Sequence, residues 1–453
     1  MPAGGTWTVQ NKVRPGAYIN FVSVPKAIGT LGERGTVAVG MPMTWGPQGD
    51  LIHLTGQELL NGASLAKVGV TATDTEASLP YRVALAGCFN ALLYRTDVGG
   101  AKATATILAS VLQVTAKYTG TTGNKITIAI LKDTPTTGFY TVRVLVNSVV
   151  QEYFIIDKLS QLSDVESAFV DFNVLKADAP IPETAGTTLE GGANGEVDKN
   201  QYTTFWGLLD TKNFQCIAMY DTDASVASLL KARVELWREK RGKKVQAVVF
   251  NYPDANYEGI ISVSQGFKTA TETVDTTLFP VWVASKVAGA QVNQSLTATV
   301  VEGAVEIINP IMEDEIEAAL NAGRFVISYR QDGTVCVEKD INTLSTFTPD
   351  KNYAFSKNRV VRCLDELGNS AALVFNRNYA GKVDNDNIGR NQYKTELISL
   401  MDNLVNLGAI QNFQGASDIT VLPGEAIDAV VVDITVQPVD SMEKIYMTVN
   451  VNA

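Results

Sequence analysis

Apolar residues return along this chain at three spacings, and each spacing predicts a kind of element. Unbroken apolar runs at 35–41 (GTVAVGM), 214–220 (FQCIAMY) and 244–252 (KVQAVVFNY) predict strands covered on both faces. Period-two alternation of Ile126, Ile128 and Ile130, and of Tyr140, Val142, Val144 and Val146, predicts antiparallel strands with one face in a core. Helical spacing links Val226, Leu229, Leu230, Val234 and Trp237 in one segment, and Tyr393, Leu397, Leu400, Leu404 and Leu407 in another. The mixture gives an α/β and α+β multidomain chain.

The breaks between these patterns divide it. Residues 1–30 form a Gly- and Pro-containing arm with one short strand, AYINFVSV at 17–24. Residues 31–100 are an α/β segment: TGQELLNG (55–62) is a helix stopped by glycine, and YRVALAGCFNALLYRT (81–96) is an apolar strand. Residues 101–176 are an inserted antiparallel sandwich or barrel with a trailing helix, placed at SDVESAFVDF (163–172) by the capping-box spacing of Ser163 and Glu166. Residues 177–199 form a Pro/Gly-rich linker. Residues 200–342 alternate strands with helices, including LFPVWVASKVAGAQ (278–291) and EDEIEAALNAG (313–323), and finish in a hairpin at Asp332-Gly333. Residues 343–427 form a C-terminal domain in which RVVRCLDELG (359–368) is a strand or a helix start. A C-terminal β-arm, 428–453, carries two alternating strands. The first has Val430, Val432, Ile434 and Val436 on one face; the second, within DSMEKIYMTVNVNA, has Ile445, Met447, Val449 and Val451. No internal repeat is present.

Composition narrows the function. The 453 residues carry a formal net charge of −11, which disfavours a nucleic-acid groove or an anionic membrane as partner. No apolar run approaches the ~20 residues of a membrane span. No basic segment followed by an apolar core opens the chain, so no secretory signal is expected. The four cysteines are widely spaced and read as reduced, buried thiols. The one histidine, His53, sits among apolar neighbours and reads as structural.

The remaining motifs have plain structural readings. YTGTTGNKIT lacks the Gly-Lys-Ser/Thr ending of a phosphate loop, and GGANGE lacks dinucleotide-loop spacing. In DTDA, Asp221 or Thr222 suits a helix cap. Glu313, Asp314, Glu315 and Glu317 crowd a helix N-terminus, and REKRGKK (238–244) a helix C-terminus, as the macrodipole favours. The basic run also suits charge complementarity to a protein partner. No catalytic, cofactor-binding or metal-ligating set is expected, no cofactor, and no enzyme activity.

Strand-forming ends on flexible leads suggest a different use. Unpaired strands recruit other strands, and pairing between copies gives heterologous contacts that close into rings or run on as filaments.

Several long segments, in order, resemble the tail sheath proteins of contractile phage tails and bacteriocin-like particles of the Gram-positive phage type. These are GGTWTVQNKVRPGAYINF near the start, KVAGAQVNQSLT (286–297), VEKDINTLSTFTPDKNYAFSKNRVVRCLDEL (337–367), YAGKVDNDNIGRNQYKTELISLMDNLVNLGAIQNF (379–413) and VQPVDSMEKIYMTVNV. The resemblance implies a subtilisin-like central α/β domain without protease chemistry, in keeping with the absence of histidine from 200–340. It also implies an inserted β-sandwich and a tube-proximal C-terminal domain. Strand exchange between subunits then maps onto Tyr18, Ile19, Phe21 and Val22, onto Val432, Ile434 and Val436, and onto Ile445, Tyr446, Met447, Val449 and Val451. Which C-terminal strand crosses over stays open.

The implied partners are other copies in a helical homo-oligomer of stacked hexameric rings, an inner tail tube, a baseplate and a tail terminator, with no nucleic acid and no membrane insertion. The implied location is a virion tail or tail-like particle assembled in the host cytoplasm. Lys382, Arg390 and Lys394 are candidates for tube contact, or ordinary solubilising charge. A non-contractile filament or surface-layer subunit is the alternative reading.

Overall fold

Thr36–Met41, the first unbroken apolar run, lies inside a six-stranded sheet. The strand order is Ile260–Val263, Gln246–Phe250, Cys216–Met219, Thr36–Met41, Asn90–Arg95, Leu51–Thr55. All neighbours are parallel except the last pair. This computed structural model describes residues 34–133 and 137–451, together with Ala3–Gly5 and Gly16–Tyr18 as a parallel strand pair. The chain divides into two units, Glu33–Asp365 with Pro438–Ala453, and Met1–Gly32 with Glu366–Gln437.

In the larger unit, alternate residues of one strand feed two cores. Val37, Val39 and Met41 join Phe279, Val283 and Val287 of the helix Phe279–Gly289, while Ala38 joins Tyr202, Phe205, Val226 and Leu230 on the opposite face. A helix apolar on all sides has to be buried on all sides, and Phe279–Gly289 is. Each fully buried large aliphatic side chain contributes roughly 1.5–3 kcal/mol. Leu229 departs from the predicted stripe and is exposed; Trp237 reaches the core through a π-helical turn, Leu236–Lys240. The cap of this helix is Asp223, which accepts from the Ser225 amide at 2.7 Å, and not Asp221 or Thr222. Three short polar residues precede the helix, and the register of the buried stripe selects among them.

The insertion is two antiparallel sheets sharing one core. One sheet is Val170–Val174, Leu112–Thr119, Lys102–Leu108; the other is Val149–Ile156, Tyr140–Val146, Ile126–Lys132, Thr184–Thr188. Ile126, Ile128, Ile130, Val142, Val144 and Val146 face Leu112, Val114 and Ala116, as the alternation requires.

Three local expectations are corrected here. The helix expected at 163–172 does not form: Leu159–Asp164 is a 3-10 turn and Val170–Val174 a strand, since a capping motif without an apolar stripe cannot nucleate a helix. The expected linker contributes Thr184–Thr188 to the second sheet and Glu196–Val197 to a pair with Asp97–Val98; threonine-rich chain suits an edge strand. The run 81–96 is a helix, Leu79–Ala84, begun at Pro80, and then the strand Asn90–Arg95, a distinction that a short apolar run does not carry.

Residues 359–368 belong to the helix Asn358–Asn378. In the smaller unit its later turns bring Phe375 and Tyr379 onto Tyr393, with ring centroids 5.4 and 4.9 Å apart. Tyr393 lies on the helix Asn387–Asn406, capped by Asp386 and followed by Gly408 at φ +67°. Leu397, Leu400 and Leu404 are buried, whereas Leu407 is exposed in the last turn. This helix packs against a hairpin of Ile419–Pro423 with Val430–Ile434.

Candidate assembly surface

The hairpin has no further strand on either outer edge among the described residues. Val430–Ile434 pairs antiparallel with Ile419–Pro423, and among the described residues the sheet has only these two strands. The outer edge therefore presents free main-chain donors and acceptors. Leu422, Val431 and Val432 are exposed beside it, while Ile434 and Val436 are half-buried. Ile427, in the turn, is 96% exposed, yet its backbone is held: Asn385 Nδ2 donates to the Ile427 and Ala429 carbonyls, both at 2.9 Å. Arg390 Nη1 in turn donates to the Asn385 backbone carbonyl and Oδ1, both at 2.9 Å.

The second predicted C-terminal strand, around 445–451, is not a strand here and has no strand partner among the described residues. Among the described residues 439–451 enter no β-pairing, and Met442, Ile445, Tyr446, Met447, Val449 and Val451 are each at least 71% exposed. Contiguous apolar exposure on this scale is uncommon on the surface of a monomer. The root of this tail is fixed. Glu443 is ion-paired to Lys357, a lysine with 4% of its side chain exposed, and accepts from Thr297 Oγ1 at 2.8 Å. Asp440 lies 3.4 Å from the same ammonium. Burial alone would raise the Glu443 pKa, but the Lys357 and Thr297 hydrogen bonds and the Lys357 charge outweigh it and hold the carboxyl below its ordinary range. Sequence reasoning missed this root: its partners stand 86 residues apart and no local motif connects them.

The other predicted positions fall as follows. Tyr18 ends the short strand Gly16–Tyr18, and Ile19, Phe21 and Val22 lie outside the described residues. Lys382 and Arg390 line one cleft of about 690 Å³, floored by Phe375, Tyr379 and Tyr393, and Lys394 does not line it. Arg390 also donates to Asn387 Oδ1, and Lys394 Nζ to the Ala416 carbonyl at 3.0 Å. The basic run 238–244 is largely spent inside the larger unit. Arg238 is buried in a bidentate contact with Asp365 at 2.6 and 2.8 Å, Arg241 pairs with Asp210, and Lys243 lies 4.3 Å from the Phe214 ring. His53 is on the exposed side of the edge strand Leu51–Thr55, outside the core. All four cysteines are buried, and none is in a disulfide. Among the described residues no group of three or more His, Cys, Asp or Glu could hold a metal, and no helix is long and apolar enough to cross a membrane.

Residues 195–343 match the family model for the phage tail sheath protein central domain, and residues 350–452 that for the phage tail sheath C-terminal domain. The chain is 34% identical over 475 residues to the phage-like element PBSX protein XkdK of Bacillus subtilis strain 168, covering 99% of this chain and 100% of the relative. The chain belongs to the phage tail sheath family.

It is a structural sheath subunit of a phage tail or tail-like particle, and its fold is that of solved sheath proteins. The crystal structure of the sheath tail protein of Desulfitobacterium hafniense matches with TM-score 0.79 and 35% identity, covering 95% of this chain and 99% of that one. The helical sheath of the anti-feeding prophage in its contracted state matches in fold alone, with TM-score 0.55 and 10% identity over 98% of this chain and 99% of that one. The KVAGAQ segment that carried part of the resemblance has a steric basis in this sheath subunit. A Cβ on Gly289 would stand 1.6 Å from the Gly87 carbonyl oxygen, so only glycine lets the two backbones meet.

Proposed function

We propose that this sheath subunit polymerises helically around an inner tail tube by strand exchange, and that the resulting wall contracts to drive the tube through a cell envelope. The observation that carries the reading is the coexistence, among the described residues, of a hairpin with an unused edge and an apolar tail with no strand partner. Each supplies what the other lacks: main-chain groups for affinity and alternating side chains for register. The tail 445–451 is the crossing strand, because Val430–Ile434 already has a partner at home. The N-terminal strand around Tyr18 adds to the same sheet. From Glu443 to Val451 an extended chain covers roughly 26 Å, enough to lie along a neighbour's hairpin.

Such a contact is heterologous, so it propagates as stacked hexameric rings or a helix and does not close a dimer. In this reading the central domain is subtilisin-like in fold, the sandwich is an insertion in it, and the C-terminal domain is nearest the tube. Lys382, with Arg390 and Lys394, offers the tube a weak, salt-sensitive grip. Baseplate and tail terminator bound the wall at its two ends, and assembly takes place in the host cytoplasm. Contraction needs bodies that change contacts and links that survive the change; woven strands are such links.

Electron microscopy of purified particles tests this. Hollow cylinders of two lengths and two diameters are expected, and a chain truncated after Glu443 should yield folded subunits and no cylinders. Normal, contractile cylinders from the truncated chain would overturn it.

A further inference from the structure

We propose that Lys357 and Glu443 are positioning residues for strand exchange: their ion pair fixes the root of the C-terminal tail so that residues 444–451 leave the subunit in one direction. This rests on the reading that the tail pairs in trans.

The geometry separates a held root from a free tail at a single residue. Glu443 has 13% of its side chain exposed, whereas Ile445 and Tyr446 are 84% and 90% exposed. The root is joined to a buried polar network of its own unit. Thr297 Oγ1, which donates to Glu443, accepts from the Asp340 amide at 2.9 Å. Asp340, itself 1% exposed, accepts from the Leu296 amide at 3.0 Å and from Asn358 Nδ2 at 2.9 Å, and lies 3.4 Å from the Arg362 guanidinium. Lys357 immediately precedes the helix Asn358–Asn378 that this network holds. The tail therefore departs from one of the most constrained polar sites in the unit. Removing the Glu443 charge leaves Lys357 buried without a full counter-charge, and the root swings free. A tail that samples all directions presents its strand to a neighbour for a smaller fraction of the time, so preorganisation is lost without any contact to the neighbour being touched.

The test compares the wild-type chain with four variants: Glu443→Gln, Lys357→Met, a double Thr297→Cys/Glu443→Cys that holds the root by a disulfide in place of the Thr297–Glu443 hydrogen bond, and truncation after Glu443. Polymerisation is followed by light scattering and electron microscopy across subunit concentration, and hydrogen exchange is measured at 439–444 in the monomer. Glu443→Gln and Lys357→Met are expected to lose amide protection at the root and to need at least tenfold more subunit for half-maximal assembly. The double cysteine chain is expected to assemble like wild type when oxidised and like Glu443→Gln when reduced, which a purely structural defect would not reproduce. Wild-type assembly by Glu443→Gln and Lys357→Met, with no assembly of the truncated chain, overturns the proposal and leaves strand exchange standing. Blocked assembly of the oxidised double variant also overturns it. Wild-type assembly of the truncated chain overturns strand exchange itself, and this proposal with it.

Discussion

Arg95 and Asp97 form a fully buried ion pair, Nη2 to Oδ2 at 2.6 Å, that ties the six-stranded sheet to the inserted sandwich. Arg95 Nη1 also donates to the Gly46 and Thr119 carbonyls at 3.1 and 2.8 Å, and Asp97 accepts from the Met43 and Gly195 amides at 2.8 and 3.3 Å. The pair thus touches the end of the sandwich strand Leu112–Thr119 and the chain returning from the insertion. Asp97→Ala is expected to cost about 3–5 kcal/mol, since it leaves a buried guanidinium without its counter-charge. Urea unfolding at neutral pH measures it; a loss below about 1 kcal/mol would show that the pair is dispensable.

Acid sensitivity follows from the same group. Burial would raise the Asp97 pKa, but the Arg95 and Met43 hydrogen bonds and the Arg95 charge outweigh it and depress the value. Glu443 is depressed as well. A depressed folded-state pKa contributes stability that is fully present above the unfolded values, 3.8 for Asp and 4.5 for Glu, and is lost as pH falls through the folded ones. Urea midpoints should therefore be flat between about pH 5 and 7 and drop below about pH 4.5. A stability that rose as pH fell below 4.5 would contradict the assignment.

Gly289→Ala is expected to destabilise by at least about 1–3 kcal/mol, the usual cost of forcing extra volume into a packed site. The added methyl would fall 1.6 Å from the Gly87 carbonyl oxygen and 2.5 Å from its carbon, backbone atoms that have no rotamer to retreat into. Thermal melts compare it with Gly207→Ala, in the helix Asn200–Leu208, where an added methyl meets no neighbour within 4 Å.

The tail should separate folding from assembly. Ile445 and Val449 are 84% and 71% exposed, so Ile445→Asp/Val449→Asp is expected to change subunit stability by no more than about 0.5 kcal/mol. The same change places carboxylates where cross-strand apolar pairs would form, and cylinders should be lost. Unaltered polymerisation would sink the role given to this segment.

Two neighbouring cations should behave differently. Arg390 props Asn385, which in turn holds the hairpin turn, so Arg390→Ala is expected to lower stability by about 1 kcal/mol and to increase hydrogen exchange at 427–430. Lys382 is exposed, and Lys382→Glu should leave stability unchanged while weakening tube binding at low salt. Equal effects of the two on the melt would contradict this division.

Helix ends and strand runs were legible because their causes lie within a few residues. TGQELLNG, EDEIEAALNAG and the 390–410 segment all stop where Gly62, Gly323 and Gly408 take positive φ, as local sterics require. The sandwich strands around Ile128 and Val144 kept their alternation because one face had to be covered. The errors sit where local signals are weak or shared. The Ser163–Glu166 spacing was outweighed by cross-strand pairing of Val170–Val174, and Thr184–Thr188 was overlooked because an edge strand needs little apolar content.

The sequence by itself determined that this is a folded, acidic, mixed α/β chain with alternating apolar patterns near both ends and sheath-like segments in order, since periodicity, composition and motif order need no partner to be read. Only the tertiary structure decided that Val430–Ile434 is paired at home while 445–451 has no strand partner among the described residues, and that Glu443 roots the tail against Lys357. The reason is that a free edge or a buried ion pair is defined by which distant surfaces are already covered, and 86 residues of intervening chain carry no local record of that.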